Sequence, residues 1–70
     1  MALSARNQLR GTVKSVKLGT VMVEVVVQVG GNEIVSAITR SSAEELGLSE
    51  GAAVTVVIKA TEVLLATDST

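Results

Sequence analysis

The chain has 70 residues, of which 47% are hydrophobic and 19% are charged, and its formal net charge is −1. The absence of Cys, His and aromatic residues excludes disulfides, the usual zinc, copper or haem ligands, and a core of large rings. High hydrophobicity excludes intrinsic disorder, and the near-neutral charge gives no general attraction to nucleic acid or anionic membranes. Because so short a chain buries little core and has no disulfide or metal support, we expect it to form an oligomer.

Targeting and linker signals are absent, so the sequence predicts one cytoplasmic domain over residues 1–70. No apolar run approaches the roughly 18 residues that a transmembrane helix needs. Residues 1–7 lack the apolar core of a signal peptide. The chain has no Pro, no low-complexity segment and no internal repeat, so no domain boundary is predicted within it.

The first half of the chain predicts three strands. Residues 9–17 alternate loosely and are rich in Thr and Val, and Leu18-Gly19 then predicts a tight turn. Gly30-Gly31 supplies residues that tolerate positive φ, so residues 33–39 are expected to return antiparallel to the preceding strand. That preceding strand, residues 20–29, gives the strongest signal, with β-branched core positions at Val21, Val23, Val25, Val27 and Val29.

The segment after the third strand predicts a helix of under two turns. Ser41 with Glu44, or Ser42 with Glu45, has the spacing of a capping box, in which side chains satisfy the first free N–H groups of a helix. Gly47 suits the left-handed backbone conformation of the residue that ends many α-helices. The sequence therefore predicts that the helix begins at one of the two serines and ends before this glycine.

Two further strand signals follow the helix, in residues 52–59 and, after a short break, in residues 62–67. Five short strands with one small helix between the third and fourth have the element order of an all-β, OB-like Greek-key barrel. A five-stranded meander sandwich is the alternative. The face opposite the predicted core carries an apolar excess that we assign to a subunit interface, namely Val26, Val35, Ala37, Ala53 and Val57.

The inventory of reactive side chains argues against catalysis. Without His or Cys, and with no obvious carboxylate pair in an apolar setting, only a Ser–Lys arrangement could activate a hydroxyl. Lys59 is the candidate base, but a lysine at a strand end is more typical of a solvated or anion-binding cation. OB domains that bind single strands stack the bases on aromatic side chains. This chain has no aromatic residue, which argues against nucleic-acid binding. No clustered-carboxylate loop predicts direct protein ligands to a metal.

Three polar stretches together point to an oxyanion. Residues 4–11, Ser-Ala-Arg-Asn-Gln-Leu-Arg-Gly, gather hydrogen-bond donors just before and into the first strand, where backbone N–H groups are not all committed to a ladder. Residues 39–42, Thr-Arg-Ser-Ser, lie at the predicted helix N-terminus, where free N–H groups favour an anion. Residues 59–61, Lys-Ala-Thr, add a cation and a hydroxyl. Taken singly, each stretch is more typical of a polar tail, a helix cap or a solvated strand end.

At these residues the sequence resembles the molbindin, or Mop, family of small cytoplasmic proteins that bind molybdate or tungstate. The stretch at residues 4–11 is the family's most recognisable one, and Ile38-Thr39 and Ile58-Lys59-Ala60 follow its layout. The resemblance covers essentially the whole chain. It implies an OB-like barrel that assembles as a homo-hexamer, a trimer of dimers, with oxyanions bound between subunits.

The resemblance also implies the binding residues. One type of site would be lined by side chains or backbone of Ser4, Ala5, Arg6, Thr39, Ser42, Lys59 and Ala60, with Asn7 in support. Ala60 departs from related regulators, which carry Ser there, so only its backbone N–H would serve. The second type of site, near the threefold axis, maps less securely, with Gly19 and Thr20 as candidates.

The chemistry of such a site agrees with the ligand. Molybdate and tungstate are fully deprotonated dianions at neutral pH, so their oxygens only accept hydrogen bonds, and a site made of donors matches them. Phosphate carries a proton near neutral pH, and a donor-only site would leave that proton unpaired. Sulfate must instead be rejected by the size of the cavity.

The sequence therefore predicts a non-catalytic protein for the storage or homeostasis of molybdate or tungstate inside the cell. An oxyanion-responsive sensor that acts on a protein partner is the alternative, because both functions need the same ligand site. A general nucleic-acid-binding OB module is a third reading, which the missing aromatic residues disfavour.

Overall fold

The computed structural model describes residues 4–68. Met1–Leu3, part of the N-terminal stretch without a signal-peptide core, and the last two residues of the predicted domain lie outside the described residues. In the described part, no helix is long and apolar enough to cross a membrane. The elements follow in the order β1 (Asn7–Leu18), β2 (Met22–Val29), β3 (Asn32–Thr39), α1 (Arg40–Leu46), β4 (Ala53–Ile58) and a 3₁₀ helix (Ala60–Glu62).

The four strands form one antiparallel sheet in the order β3-β2-β1-β4. The long strand β1 joins the two halves of the sheet. Its residues Asn7 to Thr12 pair with β4, and its residues Thr12 to Leu18 pair with β2. Gly11 lies where β1 passes from one partner to the other. A Cβ there would lie 2.6 Å from the Gln28 carbonyl oxygen, so the close approach of β1 to β2 requires glycine.

The predicted β2–β3 hairpin is confirmed. Gly30 has the positive φ that the turn needs, at 57°, whereas Gly31 does not. The strand alternation is also confirmed at Val23, Val25 and Val27, which are buried together with Val13 and Ala43 in an all-aliphatic core. Val21 was wrongly assigned to the core: it is 70% exposed, because the ladder begins at Met22 and Val21 lies in the turn before it.

Helix α1 has seven residues and ends as predicted, with Gly47 left-handed at φ 61° and ψ 40°. Its start differs from the prediction. Neither Ser41 nor Ser42 is the N-cap, because Thr39 has extended backbone and its side chain accepts a hydrogen bond from the Ser42 N–H. Strand β3 ends at Thr39 and helix α1 begins at the next residue, Arg40. Thr39 therefore occupies the N-cap position that the capping-box spacing predicted for Ser41 or Ser42.

The predicted fifth strand does not form within residues 4–68. The chain makes a 3₁₀ turn at Ala60–Glu62, and residues 63–67 belong to no strand. A strand needs an edge to pair with as well as the right alternation, and here Leu64 and Leu65 remain 93% and 92% exposed. The prediction of a closed, five-stranded barrel is therefore corrected to an open four-stranded sheet with one short helix.

The apolar residues opposite the core are exposed to a large degree in the single chain. Val35 is 62% exposed and Val57 is 44% exposed, while Ala37 and Ala53 are also exposed and Val26 is half-buried. Val26 and Val35 pair directly across the β2–β3 ladder. The sheet therefore presents aliphatic side chains on its outer face, and their assignment to a subunit interface stays a prediction.

Candidate functional site

The first group of predicted residues lies at one end of the β1–β4 ladder. The register pairs Asn7 with Ile58, so the residues before Asn7 and those after Ile58 leave the ladder at the same end. Arg6 and Lys59 are therefore neighbours in this register, and both are exposed. We call this group the β1–β4 end, and it comprises Ser4, Ala5, Arg6, Asn7, Lys59 and Ala60.

The β1–β4 end carries two cationic side chains, those of Arg6 and Lys59. Within the described chain, the ion pair formed is that of Lys14 with Glu33, on the surface elsewhere in the sheet. Neither Arg6 nor Lys59 pairs with a carboxylate of residues 4–68. Two cations placed at one ladder end repel each other, and a dianion between them would relieve that repulsion.

The approach to β1 is held in place by a local contact. Gln8 Nε2 donates a hydrogen bond to the Ala5 carbonyl oxygen at 3.3 Å. Ala5 and Asn7 are half-buried, whereas Ser4 is exposed. Because the backbone here precedes the ladder, its N–H groups are not used in ladder hydrogen bonds and can serve an anion.

The second group lies at the start of α1, where Thr39 and Ser42 form a short hydrogen-bonded chain. Thr39 Oγ1 accepts from the Ser42 N–H at 3.2 Å and donates to Ser42 Oγ at 2.9 Å. The Ser42 hydroxyl thus accepts from Thr39 and keeps its own proton for another acceptor. Ser42 is half-buried, so that donor is held in a defined position.

The two weaker candidates, Gly19 and Thr20, lie in the β1–β2 turn beside the same helix start. The Arg40 N–H donates to the Val21 carbonyl oxygen at 2.8 Å, which ties the turn to the first residue of α1. Gly19 is fixed there by sterics, since a Cβ would lie 2.5 Å from the Met22 carbonyl oxygen. We call this second group the α1 end, and it comprises Gly19, Thr20, Thr39, Arg40 and Ser42.

Arg40 was not among the predicted site residues. Its Nη1 donates to the Gly19 carbonyl oxygen at 3.4 Å, so its guanidinium lies over the β1–β2 turn. The sequence signalled Arg40 only as part of the polar stretch 39–42. Its place beside Gly19 depends on the pairing of Met22 with Thr39, a contact between residues distant in the chain.

The two groups do not meet within one chain. The β1–β4 end lies beside Asn7, at the start of β1, whereas the α1 end lies beside Leu18, at its finish. The molecule measures 40 Å in its longest dimension. The structure therefore assembles six of the eight predicted residues of the main site at one end and the remaining two, Thr39 and Ser42, at the other.

Both ends offer hydrogen-bond donors and cations. A tetrahedral dianion, whose oxygens only accept, is the kind of ligand that such groups bind. Within residues 4–68, the acidic side chains form no group of three or more that could hold a metal cation. The side chains at both ends therefore suit an anion better than a metal cation.

Comparison with known proteins agrees with this chemistry. Residues 3–65 match the TOBE domain family. Molybdenum-pterin-binding protein 1 of Clostridium pasteurianum is 52% identical over 66 residues, which cover 93% of this chain and 97% of that protein. The solved structure of a molybdate binding protein from Sporomusa ovata matches with a TM-score of 0.91 and 43% identity, over 96% of this chain and 100% of that one. The cytoplasmic molybdate-binding protein ModG, solved with molybdate bound, matches with a TM-score of 0.81 and 48% identity, over 86% of this chain and 43% of that one.

Proposed function

The chain belongs to the TOBE domain family as a molbindin-type (Mop) member, and from this premise we propose that it binds and stores molybdate or tungstate inside the cell. It is a binding protein and not an enzyme, in keeping with relatives that are named for what they bind. The observation that carries the proposal is the β1–β4 end, where Arg6 and Lys59 stand together without a carboxylate partner in residues 4–68.

The donor set supports an oxyanion that carries no proton. At the β1–β4 end the ligand would meet the Arg6 guanidinium, the Lys59 ammonium and the Ser4 hydroxyl, with backbone N–H groups of Ala5 and Ala60 and support from Asn7. Each of these groups donates, and fully deprotonated molybdate and tungstate accept at every oxygen. Hydrogen phosphate would leave its proton unpaired there, which disfavours it.

The separation of the two ends supports a site shared between copies of the chain. Thr39 and Ser42 would reach the ligand at the β1–β4 end only from a neighbouring subunit, since in their own chain they lie at the opposite end of β1. The homo-hexamer, a trimer of dimers, supplies such neighbours. A second type of site would use Gly19 and Thr20 near the threefold axis. Binding between subunits would also stabilise the assembly by mass action.

The domain organisation and location belong to the same proposal. Residues 1–70 would form a single Mop domain, in agreement with the family match over residues 3–65. The likeness to ModG, which is described as cytoplasmic, supports a cytoplasmic location. Neither nucleic acid nor a membrane has a part in the proposed function.

Native mass spectrometry and titration calorimetry on anion-free protein test the proposal. We expect an oligomer that takes up molybdate or tungstate and ignores sulfate and phosphate. Arg6→Ala and Lys59→Ala should each weaken binding about 10- to 100-fold, because a hydrogen bond to a charged group contributes about 1.5–3 kcal/mol. Lys14→Ala, which removes an exposed cation in the middle of β1 away from both ends, is the control and should bind like the wild type.

Two results would contradict the assignment. One is unchanged affinity in both Arg6→Ala and Lys59→Ala. The other is equal uptake of molybdate, sulfate and phosphate by the wild type, since a donor-only, size-selective site distinguishes them.

A further inference from the structure

The residues just before β1 lie outside the sheet. The ladder with β4 begins at the pair of Asn7 with Ile58, so Ser4, Ala5 and Arg6 precede its first pair. Ser4 and Arg6 are exposed, and Ala5 is half-buried. Because fixing the backbone of each residue costs conformational entropy, a segment outside the ladder holds one conformation only where another contact fixes it.

A side-chain hydrogen bond supplies such a contact. Gln8 Nε2 donates to the carbonyl oxygen of Ala5, three residues earlier in the chain, at 3.3 Å. The backbone of Gln8 is itself part of the ladder, where it pairs with Val57. The bond therefore joins the segment before β1 to a residue whose backbone the sheet has already fixed.

The orientation that this bond fixes extends to Arg6. The Ala5–Arg6 peptide is trans, and a trans peptide is a rigid plane in which the C=O and N–H groups point to opposite sides. Holding the Ala5 oxygen toward Gln8 therefore also sets the plane from which the backbone of Arg6 continues. Within residues 4–68, Arg6 forms no ion pair that would direct its side chain instead.

We propose that Gln8 is a positioning residue for oxyanion binding, which holds the Ala5–Arg6 peptide so that the Arg6 guanidinium meets the ligand at the β1–β4 end. This inference rests on the proposed function. Gln8 acts through Arg6 and makes no contact with the oxyanion. The advantage is preorganisation, because a group that is already held in its bound orientation loses less freedom when the ligand arrives.

A second glutamine makes the same kind of bond away from the candidate site. Gln28 Nε2 donates to the carbonyl oxygens of Gly30, at 2.8 Å, and Asn32, at 3.2 Å. These bonds close the β2–β3 turn, and the backbone of Gln28 pairs with Thr12 in the middle of β1. Gln28 is therefore the matched control for Gln8, with the same side chain, donor atom and type of acceptor.

Gln8→Met tests the positioning role, because it removes the donor and keeps an unbranched side chain of similar length. We expect calorimetry to show molybdate binding about 3- to 10-fold weaker, since the segment must then be ordered when the ligand binds. The temperature of thermal unfolding should not change, because the lost bond is exposed and holds residues outside the ladder. Gln28→Met should do the reverse, with a lower unfolding temperature and unchanged affinity.

Double variants test whether Gln8 acts through Arg6. In an Arg6→Ala background, Gln8→Met should weaken binding by less than about twofold more, because the group that Gln8 positions is gone. In a Lys59→Ala background it should keep its full effect, since Lys59 follows β4 and is not part of the segment that Gln8 holds. A full effect in both backgrounds would overturn the proposal, because Gln8 would then act independently of Arg6.

The single variants can also overturn the proposal. A Gln8→Met variant that binds molybdate like the wild type removes the positioning role and leaves the proposed function standing. Equal losses of affinity in Gln8→Met and Gln28→Met also remove it, because the effect would then not depend on the place of the bond. A wild type that binds no molybdate contradicts the proposed function, and the positioning role with it.

Discussion

The β1–β4 end and the α1 end offer an anion similar groups in different states. At the β1–β4 end, Arg6 and Lys59 carry charge without an ion-pair partner in the described residues. At the α1 end, Thr39 and Ser42 are hydrogen-bonded to each other, and Arg40 donates to the Gly19 carbonyl oxygen. The cations of the first end thus remain available to an anion, whereas the second end is already organised by hydrogen bonds within the chain.

If the two ends bind the ligand as proposed, this difference gives them separate tasks. Unpaired cations supply the attraction that holds a dianion, because charge-assisted hydrogen bonds are stronger than neutral ones. Hydroxyls that are already positioned lose little freedom on binding and fix the orientation of the ligand. Changes at the β1–β4 end should therefore alter affinity, whereas changes at the α1 end should alter both the local fold and the completeness of the site.

The largest effect is expected from placing a carboxylate at either end. Lys59→Glu and Ser42→Asp should each weaken molybdate binding at least about 100-fold, because each exchanges a donor for an anion that repels the ligand. Ser42→Asp should not destabilise the helix, since an acid in the first turn opposes no existing acid there and complements the helix dipole. Calorimetry and thermal unfolding measure the two effects separately.

Mixing these two variants shows whether the ends meet between copies. In a co-expressed oligomer of equal parts, about one quarter of the interfaces combine an intact β1–β4 end with an intact α1 end. Uptake of molybdate should return to that fraction. No recovery above the single variants would show that each site is built within one chain.

The next effect concerns Gly11, the residue of β1 that lies between the two ends. Gly11→Ala should lower the free energy of unfolding by about 1–3 kcal/mol, because the added methyl overpacks against β2. Its Cβ would lie 2.6 Å from the Gln28 carbonyl oxygen and 2.7 Å from Val27 Cγ1. Urea unfolding measures the loss. Gly31→Ala is the matched control, since nothing lies within 4 Å of a Cβ there, and equal losses in both would refute the steric argument.

A smaller effect is expected at the helix cap. Thr39→Ala should cost about 1 kcal/mol of stability, because it leaves the Ser42 N–H without its acceptor. It should also weaken molybdate binding severalfold, since it frees the Ser42 hydroxyl from its fixed position. Thr39→Ser keeps the oxygen and should restore both properties. Thermal unfolding measures the stability of both variants, and calorimetry measures their affinity for molybdate. Equal losses of stability and affinity in Thr39→Ser and Thr39→Ala would show that the Thr39 hydroxyl is not the cause.

The smallest effect is a gain at the β1–β4 end. Ala60 is exposed beside Lys59, and Ala60→Ser would add a hydroxyl donor where this chain offers only a backbone N–H. Because this position is exposed, the added hydroxyl competes with water for the ligand, so we expect a net gain of about 0.5–1.5 kcal/mol and molybdate binding about 2- to 10-fold tighter. Ala60→Val adds bulk without a donor and serves as the control. Weaker binding by both variants would mean that the position tolerates no side chain of that size.

The sequence predicted most of the fold from local patterns. Alternation located the four strands that form, the glycines located the β2–β3 turn and the end of α1, and Val23, Val25 and Val27 are core residues as expected. These features depend on residues that are close in the sequence, so they could be predicted without knowing any tertiary contact. The serine spacing misplaced the N-cap, because a strand that runs straight into a helix puts Thr39 in that position.

What the sequence by itself determined is the chemistry: a small aliphatic domain without reactive groups, and three polar stretches rich in donors. Only the tertiary structure decided how those stretches are grouped, because the register of β1 with β4 joins two of them and sends the third to the other end of the strand. The tertiary structure also decided that residues 62–67 form no strand within residues 4–68. Their strand-like pattern cannot by itself supply a sheet edge to pair with. Alternation of apolar and polar residues is a property of one segment. A shared binding site or a paired strand forms only where tertiary structure brings a second segment next to the first.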